Sequence, residues 1–438
     1  MKKKPVPEAT GRDMAITALT GILVRSKSLD QVLLNTNIPA SERPLVQALV
    51  TGCVRHYYSL NEIIQSYLKK PIRQKDQVIT SVLLLGAYQL LYTRAPPYAA
   101  VSEAVYSANR LGKPWAKNLV NAVLRALQRD IGNSGKPKPQ SEEAVFEHPQ
   151  WYIDQVREHY GVEGDALLQA DNTRAPMCIR INPKHYSRTA YKDILARTGV
   201  VSQPGITDHC LVLEKPIPQS DLPGFSEGAV SIQDQGAQLA SSVLNTEAGD
   251  RVLDACAAPG GKAFDILERF PGLDLTVLER DGTRLERMRQ ESGRLGLFPQ
   301  QFIQGDATHL SWWDRRFYDK ILLDAPCSGS GTLRRHPDIK ILKRPEDLSN
   351  YHKVQLCLLN SVWQTLKPGG TLVYCTCSIF PVENGQVIQA FLESTPGWQA
   401  GLEKIDAPWG RAMETGRQLL PEINGPDGFY FARLKKTG

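Results

Sequence analysis

Two thiols close the apolar run "TLVYCTCSIF", Cys375 and Cys377, and a third, Cys327, stands in "DAPCSGSG". A strand that finishes in cysteines admits three chemistries: inert packing, metal ligation, or a nucleophile at the lip of a pocket. Structural zinc asks for a closed set of four N/S ligands, and the chain holds no CxxC pair and no paired histidines near these thiols. No metal site is expected. Packing accounts for Cys357, inside an amphipathic helical pattern, and for Cys256. It accounts poorly for Cys327, because "PCSGSG" is loop composition.

A second cluster lies upstream. "DACAAPGGK", residues 254–262, falls between a strand pattern and a helix pattern, where Gly260 and Gly261 permit close backbone approach and the helix start offers free N–H groups. It is neither the dinucleotide pattern GxGxxG nor a P-loop, and taken alone it also fits a plain tight turn. Its neighbours carry more weight. Glu279 in "VLERD" ends the second strand 19 residues beyond Gly260, the spacing at which a carboxylate accepts both hydroxyls of a ribose. Asp306 ends the third strand in "QGDA", where an adenine would lie, and Asp324 ends the fourth in "LLDAPCSG". One carboxylate at a strand end is usually a turn former. Three at successive strand ends, above a Gly-rich first loop, imply a cofactor that carries a nucleoside.

The stretches "DACAAPGGK", "DAPCSGSGTLRRHPDIK", "TLVYCTCSIFPVENG" and "GPDGFYFARLKK" resemble, in this order, the motifs of the S-adenosylmethionine-dependent RNA cytosine-C5 methyltransferases. The basic helical N-terminus is similar to the NusB-like RNA-binding domain of bacterial members that act on 16S ribosomal RNA, so the likeness covers nearly the whole chain. It implies methylation of carbon 5 of a specific cytosine in 16S ribosomal RNA, with S-adenosyl-L-methionine as methyl donor. Cys377, in "TCS", falls at the family's nucleophile and Cys327, in "PCS", at the cysteine that assists product release. Cys256, Ala257, Ala258, Pro259, Gly260, Gly261 and Lys262 would surround the methionine part of the cofactor. Glu279 would take the ribose, Asp306 the adenine side, and Asp324 both cofactor and base. Cys375 departs from the pattern, as a small core residue or a competing thiol. Glu279 replaces the commoner Asp.

Carbon 5 of cytosine is too weak a nucleophile to attack a methyl sulfonium, but thiolate addition at carbon 6 makes the ring enamine-like. Asp324 would stabilise that adduct through protonated N3, and Lys262 is expected to favour the Cys377 thiolate. The target base must also leave its stack. Arg334 to Pro337, with Lys340, Lys343 and Arg344, would hold phosphates beside it, or form a solvated loop. A rival reading is a non-catalytic RNA-binding or antitermination factor with a decayed methyltransferase domain, against which Asp324, Cys327 and Cys377 argue. A DNA cytosine methyltransferase would carry its nucleophile in the "PC" motif alone.

The elements that position these residues follow from periodicity. Five apolar strands, "DRVLDAC", "DLTVLER", "QFIQGDA", "DKILLDAP" and "GTLVYCTC", alternate with helices "KAFDILERF", "RLERMRQESGRLG" and "YHKVQLCLLNSVWQTL". Such alternation predicts an α/β, doubly wound and mostly parallel sheet, Rossmann-like, with ligands beyond the carboxyl ends of its strands. Residues 11–130 are helical in pattern, with Ser41 as an N-cap candidate, and "GNSGKPKPQSEE" at 132–143 has linker composition. The expected division is an all-α NusB-like domain over 1–140, a small α+β connecting region over 141–228, and the methyltransferase domain over 229–438.

At 438 residues the chain is long enough for two or three cores. Residues 1–140 hold 20 Lys+Arg against 8 Asp+Glu, a net +12, so the remainder carries −6 of the overall +6. A basic half on an acidic half favours a polyanionic partner for the N-terminal module. The start "MKKKPVPEAT" lacks an export signal's apolar run, and "VITSVLLLGAYQLLY" is interrupted by polar residues and is short of the roughly 20 residues a span needs. A monomer in a reducing cytoplasm, without membrane or metal, is expected.

Overall fold

The computed structural model describes residues 9–34, 38–395 and 400–437. Most of the N-terminal stretch read above for an export signal lies outside them. Contacts divide the chain into two compact units. One takes in the chain up to Thr173 together with Leu333–Arg344, and the other holds Arg174–Thr332 and Pro345–Gly438.

Among the described residues the first unit is all-helical. Its helix Gly11–Arg25 opens on a capping box in which Thr10 and Asp13 each satisfy the other's backbone N–H, and Asp13 also takes the Arg110 guanidinium at 2.6 Å. The helix Gln77–Tyr92 is buried on almost every side. Two of its interruptions are contacts: Ser81 accepts from Thr20 at 2.9 Å, and Gly86 sits where a Cβ would meet Leu124 at 2.5 Å. Among the described residues no helix is long and apolar enough to cross a membrane. Ser41 is not a cap. Helix Arg43–Arg55 starts after Glu42 with Pro44 in its first turn, and the chain breaks at His56 before helix Tyr57–Tyr67, where His56 stacks on Tyr92 at 4.1 Å.

The segment Leu333–Arg344 corrects the expectation for two cations of the basic loop, while Arg344 is exposed. Arg334 is 1% and Lys340 2% exposed. The Arg334 carbonyl accepts from Arg55 at 2.7 Å, the Asp338 carboxylate accepts the Leu29 N–H at 2.8 Å, and the Lys340 ammonium donates to Asn172. Ile341 and Leu342 pack against the helical core. A solvated or phosphate-holding loop would leave these two cations accessible, whereas here their stems and backbone complete a helical unit.

The second unit contains two sheets. A small antiparallel sheet has strands β1 (Met177–Ile181), β2 (Ser202–Pro204), β3 (Cys210–Leu213) and β4 (Val230–Ile232) in the order β2-β3-β1-β4. Helix Arg188–Arg197 places Tyr191 and Leu195 in its core. Among the described residues the large sheet has nine strands: β5 (Arg251–Ala255), β6 (Asp274–Glu279), β7 (Gln301–Gln304), β8 (Tyr318–Asp324), β9 (Leu366–Thr376), β10 (Ala400–Glu403), β11 (Arg411–Met413), β12 (Gly416–Leu419) and β13 (Phe429–Lys436). Its order is β11-β12-β13-β9-β8-β5-β6-β7, with β10 paired to β13. β5 to β9 run parallel, and β13 runs antiparallel against β9. Alternate residues of these strands feed two cores, as the pleat requires. Leu253, Ile321, Leu323 and Tyr374 join the cluster under helix Pro345–Trp363. Val252, Leu322, Val373 and Cys375 join the cluster under helix Gly261–Arg269.

Candidate active site

The site forms where parallel strands end. β8 and β9 pair with Asp324 opposite Cys375, so the loops that follow them emerge side by side. The Cys327 and Cys377 Sγ atoms lie 3.4 Å apart. Hydrogen bonding to Cys377, and then burial, hold the Cys327 thiol well above the usual range.

Beside the thiols, the Lys262 ammonium donates to Asp324 Oδ2 at 2.6 Å and lies 5.4 Å from the centre of the Phe429 ring. Burial opposes its charge most, but the attraction and hydrogen bond of Asp324, with the sulfurs of Cys375 and Cys377, together outweigh that and raise Lys262 above an ordinary amine. Cys375 donates to the other Asp324 oxygen at 3.5 Å. It is fully buried, and burial first, then Asp324, push its thiol far up. That favours the small core residue over the competing nucleophile.

Two loops held this close need an internal scaffold, and Glu383 supplies it. Its carboxylate accepts the Ser328 N–H at 2.7 Å, the Ser328 hydroxyl at 2.5 Å and the Ser378 hydroxyl at 2.6 Å. One side chain therefore ties the residue after Cys327 to the residue after Cys377. Ser330 bonds Ser378 at 3.0 Å, and the Gly331 N–H bonds the Cys377 carbonyl at 2.9 Å. Sequence reasoning missed Glu383, although its place in "PVENG", close behind the thiols, was the available signal.

The Gly-rich loop turns sharply. Cys256 has φ +62° and Gly260 φ +102°, where a Cβ on Gly260 would strike Phe264 at 2.4 Å, so glycine is required. Arg180 of β1 holds the start of the next helix by donating to the Gly261 carbonyl at 2.6 Å, while Glu268 takes its guanidinium at 2.7 and 2.8 Å. Sequence reasoning missed this clamp too, because the partners are far apart in the chain.

A pocket of ≈ 330 Å³ opens at the ends of β6 and β7. Cys256, Glu279 and Asp306 line it, and so do Arg284, Thr308 and Tyr351, which the sequence did not single out. Glu279 accepts the Asp281 N–H through Oε1 at 2.9 Å, while Oε2 is buried without a hydrogen bond and faces Arg284 at 3.3 Å. An acceptor waiting for a donor suits a ribose hydroxyl. Asp306 is fixed by the Thr308 N–H and hydroxyl at 2.9 and 2.7 Å. Burial, with Glu279 next, pushes the Cys256 thiol up to about 12. Ala257 and Ala258 are buried, and Pro259 and Gly261 line a separate cavity of ≈ 340 Å³, so of residues 256–262 only Cys256 faces this pocket. Cys357, expected to pack, is exposed. Among the described residues no cluster of three or more His, Cys, Asp or Glu is placed to hold a metal ion.

Comparison with known proteins is consistent throughout the chain. Residues 9–129 match the NusB family, residues 148–220 a ferredoxin-like domain of the RsmF/B type, and residues 241–435 the 16S rRNA methyltransferase RsmB/F family. The chain is 40% identical over 97% of its length to the ribosomal RNA small subunit methyltransferase B of Vibrio cholerae, of which it covers 97%. It is 39% identical over 96% of its length to the protein of that name from Pseudomonas putida, again covering 97%. The crystal structure of PH0851 has the same fold, with TM-score 0.82 over 98% of this chain and 99% of that one at 22% identity. A methyltransferase homolog from Pyrococcus horikoshii superimposes with TM-score 0.59 over 67% of this chain and 97% of its own, at 27% identity. A helical NusB-like domain, a ferredoxin-like connection and a Rossmann-like sheet with its thiols at the strand ends thus place the chain in the 16S rRNA methyltransferase RsmB/F family.

Proposed function

We propose that the protein methylates carbon 5 of a cytosine in 16S ribosomal RNA through a covalent bond between Cys377 and carbon 6. The observation that carries this reading is the pair of thiols 3.4 Å apart beside the Lys262–Asp324 ion pair. S-adenosylmethionine, when bound, supplies an electrophilic methyl group on a sulfonium. Glu279 would hold its ribose and Asp306 its adenine side, with Cys256, the one residue of 256–262 that faces this pocket, beside the methionine part.

The Cys377 thiolate adds to carbon 6, which places electron density on carbon 5 for bond formation to the methyl group. Asp324 hydrogen-bonds protonated N3, and Lys262, donating to Oδ2 at 2.6 Å, keeps that carboxylate oriented. A base then takes the carbon 5 proton, the electron pair of that bond restores the carbon 5–carbon 6 double bond, and Cys377 leaves as a thiolate, with Cys327 assisting release. Residues 1–140 serve as an RNA-binding module, 141–228 as a connection and 229–438 as the catalytic domain of a cytoplasmic monomer.

The test is incubation of the full chain with 16S ribosomal RNA and S-adenosylmethionine labelled in the methyl group, followed by digestion to nucleosides. Label in 5-methylcytidine is expected. Label in any other nucleoside, or none, overturns the reading, and retained RNA binding without methyl transfer favours the non-catalytic factor. Glu279→Ala should weaken cofactor binding by roughly 10–100-fold, the worth of a hydrogen bond to a charged group, as read by calorimetry.

A further inference from the structure

A cavity of ≈ 1070 Å³ lies within the helical unit, built from residues that take no part in the candidate active site. The chain that leaves helix Tyr57–Tyr67 forms one wall, and helix Lys117–Ser134 with the turn before it forms the other. The lining is apolar at Ile72, Leu119 and Val123, and Trp115, which shares it, is 56% exposed.

The charge of the lining is one-sided. Lys69, Lys70, Arg73 and Lys75 crowd into seven residues of the wall, all exposed. Among the described residues Asp76 is the one carboxylate in the lining, and it is already paired with Lys113 at 2.6 Å. Among the described residues the other four cations make no ion pair. Like charges gathered so closely repel one another and concentrate a field that attracts a polyanion.

An apolar floor, an exposed indole and a cationic rim together fit a ligand that alternates flat rings with negative charge. Single-stranded nucleic acid is that ligand, because every nucleotide offers a π-face and a phosphate. A duplex hides its bases in the stack, and an acidic peptide has charge without the rings. We propose that this cavity binds a single-stranded segment of RNA, one base stacked on Trp115 and its phosphates held by Lys69, Lys70, Arg73 and Lys75. The proposal rests on the ribosomal RNA reading above and gives the helical domain a defined binding site.

The experiment titrates the full chain with a fluorescein-labelled 12-nucleotide oligouridine, following anisotropy from low to moderate salt. Trp115→Ala should weaken binding at least about 5-fold and Trp115→Phe should restore most of it, since stacking survives a smaller ring. Lys69→Ala combined with Lys70→Ala should flatten the dependence of log affinity on log salt by about 0.7 for each phosphate that is no longer neutralised. Equal melting temperatures would show that these exposed positions leave the fold intact. In methyl transfer to 16S ribosomal RNA the same variants should raise KM and leave kcat unchanged. Unchanged affinity and KM in every variant overturn the proposal, as does equal binding of an RNA duplex or displacement of the oligonucleotide by a poly-glutamate peptide at equal charge. A wild type that transfers no methyl group would sink the proposed function alone, because the anisotropy titration still reads the cavity.

Discussion

Glu383 and Asp254 are both carboxylates with no exposed surface in the catalytic unit, and they are bonded in opposite ways. Glu383 accepts from Ser328 twice and from Ser378, whereas neither oxygen of Asp254 has a hydrogen-bond partner among the described residues. Burial lifts both above the ordinary carboxylate, and for Asp254 the nearby Asp324 adds to the lift. The difference teaches what each one does. A buried carboxylate saturated with donors fixes the loops that supply them, while one without donors is pushed toward the acid form.

The sharpest way to break this contrast is Glu383→Ala. It leaves three buried donors unmet and unties the Cys327 loop from the Cys377 loop. A loss of about 3 kcal/mol in denaturant unfolding is expected, and methyl transfer should fall by at least about 100-fold. A variant with native stability and activity would show that the hydrogen bonds do not position the thiols.

Asp254→Asn should do far less at neutral pH, changing stability by under about 1 kcal/mol, because it keeps the shape and removes a carboxyl whose charged form burial disfavours. Its signature is pH dependence. The folded-state pKa of Asp254 lies above its unfolded value of about 3.9. The wild type therefore binds a proton that the unfolded chain has lost, and its stability declines as pH rises above about 4 until the raised value is passed. The melting temperature of Asp254→Asn minus that of the wild type should grow over this range. A flat difference would mean that Asp254 is ionised in the folded protein.

A pH-linked effect of about 1–3 kcal/mol, below that of Glu383→Ala, is expected at a buried cation of the helical unit. Burial depresses Lys340 to about 8, against the pull of Asp171 and Glu147. Between pH 8 and about 10.4, the ordinary lysine value, the unfolded chain holds the proton that the folded one has lost, so stability rises with pH. Lys340→Met should abolish that rise when unfolding is followed across the range.

The same contrast marks how far the sequence was legible. Strand ends, the Gly-rich turn and the thiol motifs are local patterns, so the placement of Glu279, Asp306, Asp324, Cys327 and Cys377 at one sheet edge follows from alternation and adjacency. The strands β10 to β13 were not read, because β13 is defined by antiparallel pairing with β9 across more than 50 residues of chain. Arg334 and Lys340 were misread for a related reason. Charge density suggests solvent, yet their partners Arg55 and Asn172 are 279 and 168 residues away. Arg180, Glu383 and Trp115 gain their meaning from tertiary neighbours, and no local period announces them.

The central claim is that Cys377 attacks and Cys327 releases. It is tested most directly by denaturing electrophoresis of Cys327→Ala and Cys377→Ala after incubation with 16S ribosomal RNA and S-adenosylmethionine. The account predicts a covalent protein–RNA adduct that accumulates in Cys327→Ala and is absent from Cys377→Ala. An adduct in Cys377→Ala and none in Cys327→Ala would contradict it and exchange the two roles.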